Sequence, residues 1–163
     1  MKKILCLLLC CLLLAGCAAK SNTFESLDPF KWGASANEVS GWQRNKLESS
    51  RLEDGTVEMV LKDTIYDGKK CSMTYTLKED ALVKIGYKFE GFSTDAEKSQ
   101  TYDALKSYLE KTYGAPSTSV AAPNLQTVWE TQDLFVGLAA PDDRDDILII
   151  YEHNWRFDIP VAS

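Results

Sequence analysis

The cleanest pattern in the chain runs from residue 69 to residue 90, where apolar and polar positions alternate with a period of two. Cys71, Met73, Tyr75 and Leu77 are separated by Ser72, Thr74 and Thr76, and Val83, Ile85, Tyr87 and Phe89 by Lys84, Gly86 and Lys88. Successive side chains of a strand point to opposite faces, so the pattern predicts two strands with one apolar and one polar face. Asp67-Gly68 and Lys78-Glu79-Asp80 supply turns on either side, and Val57, Met59 and Leu61 extend the alternation to a strand over residues 56–66. Three further strands are predicted over 127–131, 134–139 and 147–153.

Helices are marked by their ends. Ser35-Ala36-Asn37-Glu38 has the spacing of a capping box, in which the hydroxyl and the carboxylate each satisfy a backbone N–H of the first turn. A short helix is expected to follow, with Val39 and Trp42 on its inner side, ending near Asn45. Thr94 and Glu97 repeat the spacing before a stripe of Tyr102, Leu105, Leu109 and Tyr113, and Gly114 with Pro116 stops that second helix. Residues 115–124 read as a loop. The fold class is therefore α+β, in the order α-βββ-α-βββ. It implies one antiparallel sheet with two helices on one face. Each unit spans about 60 residues, which points to an internal duplication.

The start of the chain has a different character. Lys2 and Lys3 precede an apolar run that ends at Gly16, well short of the roughly 20 residues of a spanning helix. This is the layout of a secretory signal. Its end, Leu14-Ala15-Gly16-Cys17, resembles the lipobox of bacterial lipoproteins. The resemblance implies cleavage after residue 16 and lipidation of Cys17, with a diacylglyceryl chain and acylation such as palmitate. Two or more chains hold a protein to a bilayer where one does so only marginally. The organisation is then a signal peptide over 1–16, a lipidated cysteine and linker over 17–29, and a single domain over 30–163. A linker of that length reaches at most about 40 Å. Phe30-x-Trp32-Gly33 before the first helix and Tyr113-Gly114-x-Pro116 after the second are similar to motifs in a loose group of small uncharacterised envelope lipoproteins. They also resemble the repeated helix–sheet units of the β-lactamase-inhibitor-protein-like fold.

Charge and cysteine content then narrow the function. The chain has 24 Asp and Glu against 18 Lys and Arg, and losing Lys2 and Lys3 with the leader takes its formal charge from −6 to −8. An acidic domain without a basic cluster argues against nucleic acid. Cys6, Cys10 and Cys11 leave with the leader, so Cys71 would stand alone beside Cys17. No internal disulfide can form. Cys71 alternates with core residues and reads as buried.

Catalytic constellations are hard to assemble. His153 is the one histidine, no nucleophile elbow is present, and a dyad of His153 with Cys71 has no supporting motif. Zinc would need more Cys and His. Asp142, Asp143, Asp145 and Asp146 around Arg144 lack the ladder of a calcium loop and read as a solvated turn. No phosphate-cradling glycine loop and no distinct carboxylate pair stand out. No cofactor and no metal are expected. The leading expectation is a non-enzymatic lipoprotein of the cell membrane or outer membrane, facing away from the cytoplasm. It would bind another envelope protein through a sheet face or edge, with Trp155 and Phe157 of the tail as contact residues. The rival expectations are a small-ligand carrier, or an enzyme or metal-dependent protein using scattered acids and His153.

Overall fold

The computed structural model describes Thr23, Phe24, Leu27 and residues 31–42, 47–122 and 124–153. The expected signal peptide and Cys17 lie outside the described residues, as do Phe30, Trp155 and Phe157. The elements are α1 (Ala36–Trp42), β1 (Glu48–Arg51), β2 (Val57–Tyr66), β3 (Lys69–Lys78), β4 (Ala81–Glu90), α2 (Asp95–Tyr113), β5 (Thr118–Val120), β6 (Leu125–Glu130), β7 (Leu134–Ala140) and β8 (Asp146–His153). All eight strands form one antiparallel sheet in the order β1-β2-β3-β4-β8-β7-β6-β5. The chain is α+β.

The expected order needs correction: among the described residues each half has four strands, not three. The two additions, β1 and β5, are the edges of the sheet, and every residue in them is exposed. An edge strand that buries nothing carries no apolar alternation, so Thr118–Val120 is legible in the sequence only as part of the 115–124 loop. Each meander starts at an outer edge and ends at the central β4–β8 seam.

Capping follows the sequence closely. Glu38 N–H donates to Ser35 Oγ (3.3 Å) while Ser35 N–H donates to Glu38 Oε2 (3.0 Å). On α2, Glu97 N–H donates to Thr94 Oγ1 (3.1 Å), and Glu97 Oε2 accepts from Ser93 rather than from the cap itself. Gly114 (φ 84°) ends α2 in a conformation that disfavours a side chain. Glu79 and Asp80 also have positive φ, a cost for non-glycine residues. Asp80 offsets part of it by accepting a hydrogen bond from Ala36 N–H at the start of α1 (2.9 Å).

These carboxylates predict acid sensitivity. Glu38 is held at about 2 against an ordinary 4.5, first by the Lys31 ammonium and then by Ser35 N–H. Glu97 is lowered by Lys69 and Ser93, and Asp54 by Thr56. Each is lower in the folded chain than in the unfolded one. The contribution of Glu38 is therefore complete above its ordinary 4.5 and lost as pH falls towards about 2, and those of Glu97 and Asp54 are likewise lost on acidification. Melting temperature measured across that window should drop, and the combined Glu38→Gln, Glu97→Gln protein should show a shallower slope.

One face of the sheet is the core. Cys71, Met73, Tyr75 and Leu77 of β3 pack with Ile85, Tyr87 and Phe89 of β4, Ile147, Ile149 and Tyr151 of β8, Val136 and Leu138 of β7, and Trp129 of β6. Helix α2 lies on this face: Tyr102 Oη and Thr127 Oγ1 share a hydrogen bond (2.8 Å), Trp129 Nε1 donates to Gly114 O (2.9 Å), and Tyr113 packs on Tyr151. Two assignments differ from expectation. A register shift between Thr76 and Leu77 buries Leu82 where the alternation points to Val83. On α1 only Val39 is buried, while Trp42 is 40% exposed, because a helix of seven residues brings little more than one position to the core. Leu27 is fully buried and Phe24 packs edge-on against Phe89 (5.6 Å between ring centres). The core thus reaches into the 17–29 stretch whose sequence reads as linker.

Candidate binding surface

The residues singled out for chemistry are kept apart by the fold. Cys71 faces Phe89 across β3–β4, and Phe89 faces Ile147 across β4–β8. His153 lies six residues further along β8, about 20 Å away at roughly 3.3 Å per residue. The two cannot form a dyad. His153 instead stacks on Trp32 (5.6 Å between ring centres, 27° between planes). Cys71 is 2% exposed and burial pushes its thiol up to about 12. A thiol that neither ionises nor meets solvent is inert. Native-state labelling with a maleimide should accordingly be slow and should accelerate sharply with denaturant; immediate labelling in buffer would place that face of β3 in solvent.

The aspartates of the β7–β8 loop are organised by cations of the chain itself. Lys98 Nζ reaches from α2 to donate to Pro141 O and Arg144 O (2.6 Å each). Arg144 Nη2 donates to Asp146 Oδ2 (2.6 Å), with Lys88 at 3.8 Å. Asp142, Asp143 and Asp145 are exposed, whereas Asp146 is buried and its Oδ1 has no partner among the described residues. An ammonium already occupies the carbonyl pair that a bound cation would use. Among the described residues no three His, Cys, Asp or Glu side chains gather as metal ligands. A groove of about 290 Å³ beside this loop is lined by Asp95, Lys98, Leu125 and Asp142. Another of about 480 Å³ lies between α1 and β1, lined by Ser49, Arg51, Glu79 and Asp80. His153 lines neither.

The second face of the sheet has more to offer. Pairing registers place Thr74, Gly86, Ile150, Gly137 and Val128 in one row across it. Ser72, Lys88, Leu148, Ala139 and Gln126 form the next, and Thr76, Lys84, Glu152, Phe135 and Glu130 the one beyond. Val128, Phe135, Leu148 and Ile150 form an apolar strip, half-buried between sheet neighbours. A Cβ on Gly86 would meet nothing within 4 Å, whereas one on Gly137 would come within 3.2 Å of the Phe135 ring. Gly137 therefore lets Phe135 lie back along its own strand and flatten the strip. Outward positions around it are mixed in charge: Lys70, Lys78, Lys84 and Lys88 of β3 and β4 stand beside Glu90, Asp146, Glu152 and Glu130 on the same face, and Lys88 pairs with Glu90.

Sequence reasoning misses this strip, although its signal is present. The runs Leu134-Phe-Val-Gly-Leu-Ala-Ala and Ile147-Leu-Ile-Ile-Tyr are continuously apolar, the pattern of strands covered on both faces. The predicted contact residues Trp155 and Phe157 lie outside the described residues.

Among the described residues no helix is long and apolar enough to cross a membrane. No protein-family model matches the chain and no curated protein matches it. A solved structure that resembles it is that of a DUF4309 family protein (YjgB) from Bacillus subtilis subsp. subtilis str. 168. The likeness has 12% identity and a TM-score of 0.35, covering 71% of this chain and 76% of that one. It is too distant to assign a family.

Proposed function

We propose that this protein is an envelope lipoprotein, anchored through lipidated Cys17 on the extracytoplasmic side of the cell membrane or outer membrane, that binds another protein without performing chemistry of its own. The observation that carries the binding reading is the apolar strip of Val128, Phe135, Leu148 and Ile150 on the second face of the sheet. Strands apolar on both faces are ordinarily covered on both, and exposed apolar patches with a polar rim mark interaction sites. Trp155 and Phe157, which follow β8, stand in this reading as additional contacts. In this reading both helices lie on one face of the sheet, and two copies of an α-ββββ unit meet at the β4–β8 seam. Val39 of α1 shares one buried cluster with Leu105 and Leu109 of α2, which supports it.

The anchor is tested by Cys17→Ser, expected to move the protein from the membrane to the soluble fraction or leave the leader uncut. The intact protein should carry the mass of lipid on residue 17. An unmodified mature chain that begins elsewhere overturns the anchor. Binding is tested in the native membrane by a photo-crosslinking residue at Ile150 or Leu148, compared with one at Ser107 on the exposed side of α2. A discrete heterologous product from the sheet positions and not from Ser107 is expected. A product joining Ile150 only to the chain's own tail would show that the strip is covered internally.

A further inference from the structure

Phe24 and Leu27 fall within the stretch expected to be free linker, yet both are seated. Leu27 is fully buried, Phe24 packs on Phe89, and Phe24 N–H donates to Asp67 Oδ2 at the β2–β3 turn (2.8 Å). Roughly ten residues later the chain is at the other end of the sheet, where Gly33 N–H donates to Leu82 O and Leu82 N–H to Ala34 O (3.0 and 2.9 Å). Phe24 and Gly33 therefore sit at opposite ends of the sheet. Those ends are distinct. The β2–β3 turn shares its end with the β4–α2 connection and the aspartate-rich β7–β8 loop, whereas the β1–β2, β3–β4 and β6–β7 turns and His153 lie at the opposite end.

We infer that Phe24 and Leu27 form a strap that shortens the lipid tether and turns the end of the sheet bearing the β2–β3 turn towards the bilayer. This rests on the reading of Cys17 as the lipidated residue. With the strap seated, only residues 18–23 separate Cys17 from the domain, a reach of at most about 25 Å rather than the roughly 40 Å of a linker ending at residue 29. The ten-residue strands β3 and β4 are about 33 Å long at roughly 3.3 Å per residue. The tether is shorter than the sheet it holds. The β7–β8 loop then faces the membrane, and the end that carries His153 faces away from it.

The test uses the full-length lipidated protein in phosphatidylethanolamine–phosphatidylglycerol vesicles carrying a headgroup acceptor dye. A donor is attached through Asp143→Cys at one end or Glu53→Cys at the other; both positions are exposed, and native Cys71 is buried. Energy transfer is expected to be about twofold or more higher from position 143, given the difference in reach and strand length. Releasing the strap with Phe24→Ser and Leu27→Ser should narrow the difference. Because that protein risks unfolding, a second one inserts a Gly/Ser segment after Asn22 and leaves both seated residues intact; it too should narrow the difference. Equal or reversed transfer in the vesicle-bound native protein overturns the strap while leaving the anchor standing. Protein that does not stay with the vesicles overturns the anchor reading itself.

Discussion

Replacing Trp129 with alanine is expected to lower the unfolding free energy by about 3–5 kcal/mol, the range for a large buried aromatic. Trp129 is 2% exposed, and its indole connects three parts of the second half. It sits on β6 opposite Val136 of β7. Its Nε1–H donates to Gly114 O at the C-cap of α2 (2.9 Å), tying the end of the helix to the sheet. Alanine leaves a cavity and an unpaired carbonyl together. Trp129→Phe separates the two, keeping most of the volume and losing the hydrogen bond, and should cost about 1–2 kcal/mol. Urea unfolding followed by far-ultraviolet circular dichroism measures both. Equal losses for the two variants would show that the hydrogen bond, not the packing, is what Trp129 contributes.

Trp129 also illustrates how unevenly the sequence reveals the fold. Its burial is expected from its residue type, but its bond to Gly114 joins positions fifteen residues apart across β5 and its flanking loops, which no local pattern encodes. Local signals are plain: Ser35/Glu38 and Thr94/Glu97 form the caps their spacing implies, and Cys71 to Leu77 alternate as strand β3 does. What the sequence hides are features without local signals. Exposed β1 and β5 bury nothing, so their sequences resemble loops. Leu82 exchanges with Val83 because a bulge in pairing moves the register by one, and a register is a property of two strands together. Phe24 and Leu27 resemble linker because two apolar residues among polar ones show no period; their destinations, Phe89 and the core, are distant in sequence.

The candidate surface is half legible. Polar outward positions on β3 (Ser72, Thr74, Thr76) point to a solvent-facing side, and one polar face is the natural expectation for the whole sheet. Strands β7 and β8 break it, because Phe135, Leu148 and Ile150 occupy the outward positions. Only the pairing register shows that these apolar positions adjoin Gly86 and Val128 and join into a strip. His153, by contrast, stands out in the sequence as the one histidine and proves to be a stacking partner of Trp32. A rare residue draws more notice than a run of common ones.

The strip and the histidine give opposite expectations for binding, which makes them separable. The combined change Phe135→Thr and Ile150→Thr should weaken capture of the partner crosslinked from the sheet by about 100-fold or more, since buried anchor residues at interfaces contribute about 2 kcal/mol each and every 1.4 kcal/mol is tenfold. Threonine keeps the preference for strand conformation, so the fold should survive with a modest fall in melting temperature. His153→Ala should leave partner capture within about threefold, its cost being the stacking on Trp32, about 0.5–1.5 kcal/mol of stability. Truncation before Trp155 distinguishes the tail. Loss of capture with an unchanged melting temperature assigns Trp155 and Phe157 to the interface, while a lowered melting temperature assigns them to packing. The binding reading is overturned if a folded His153→Ala protein loses a cellular phenotype that the Phe135/Ile150 double variant keeps. The activity would then lie at a polar site near Trp32, and the apolar strip would have to be explained as a surface covered by the chain itself.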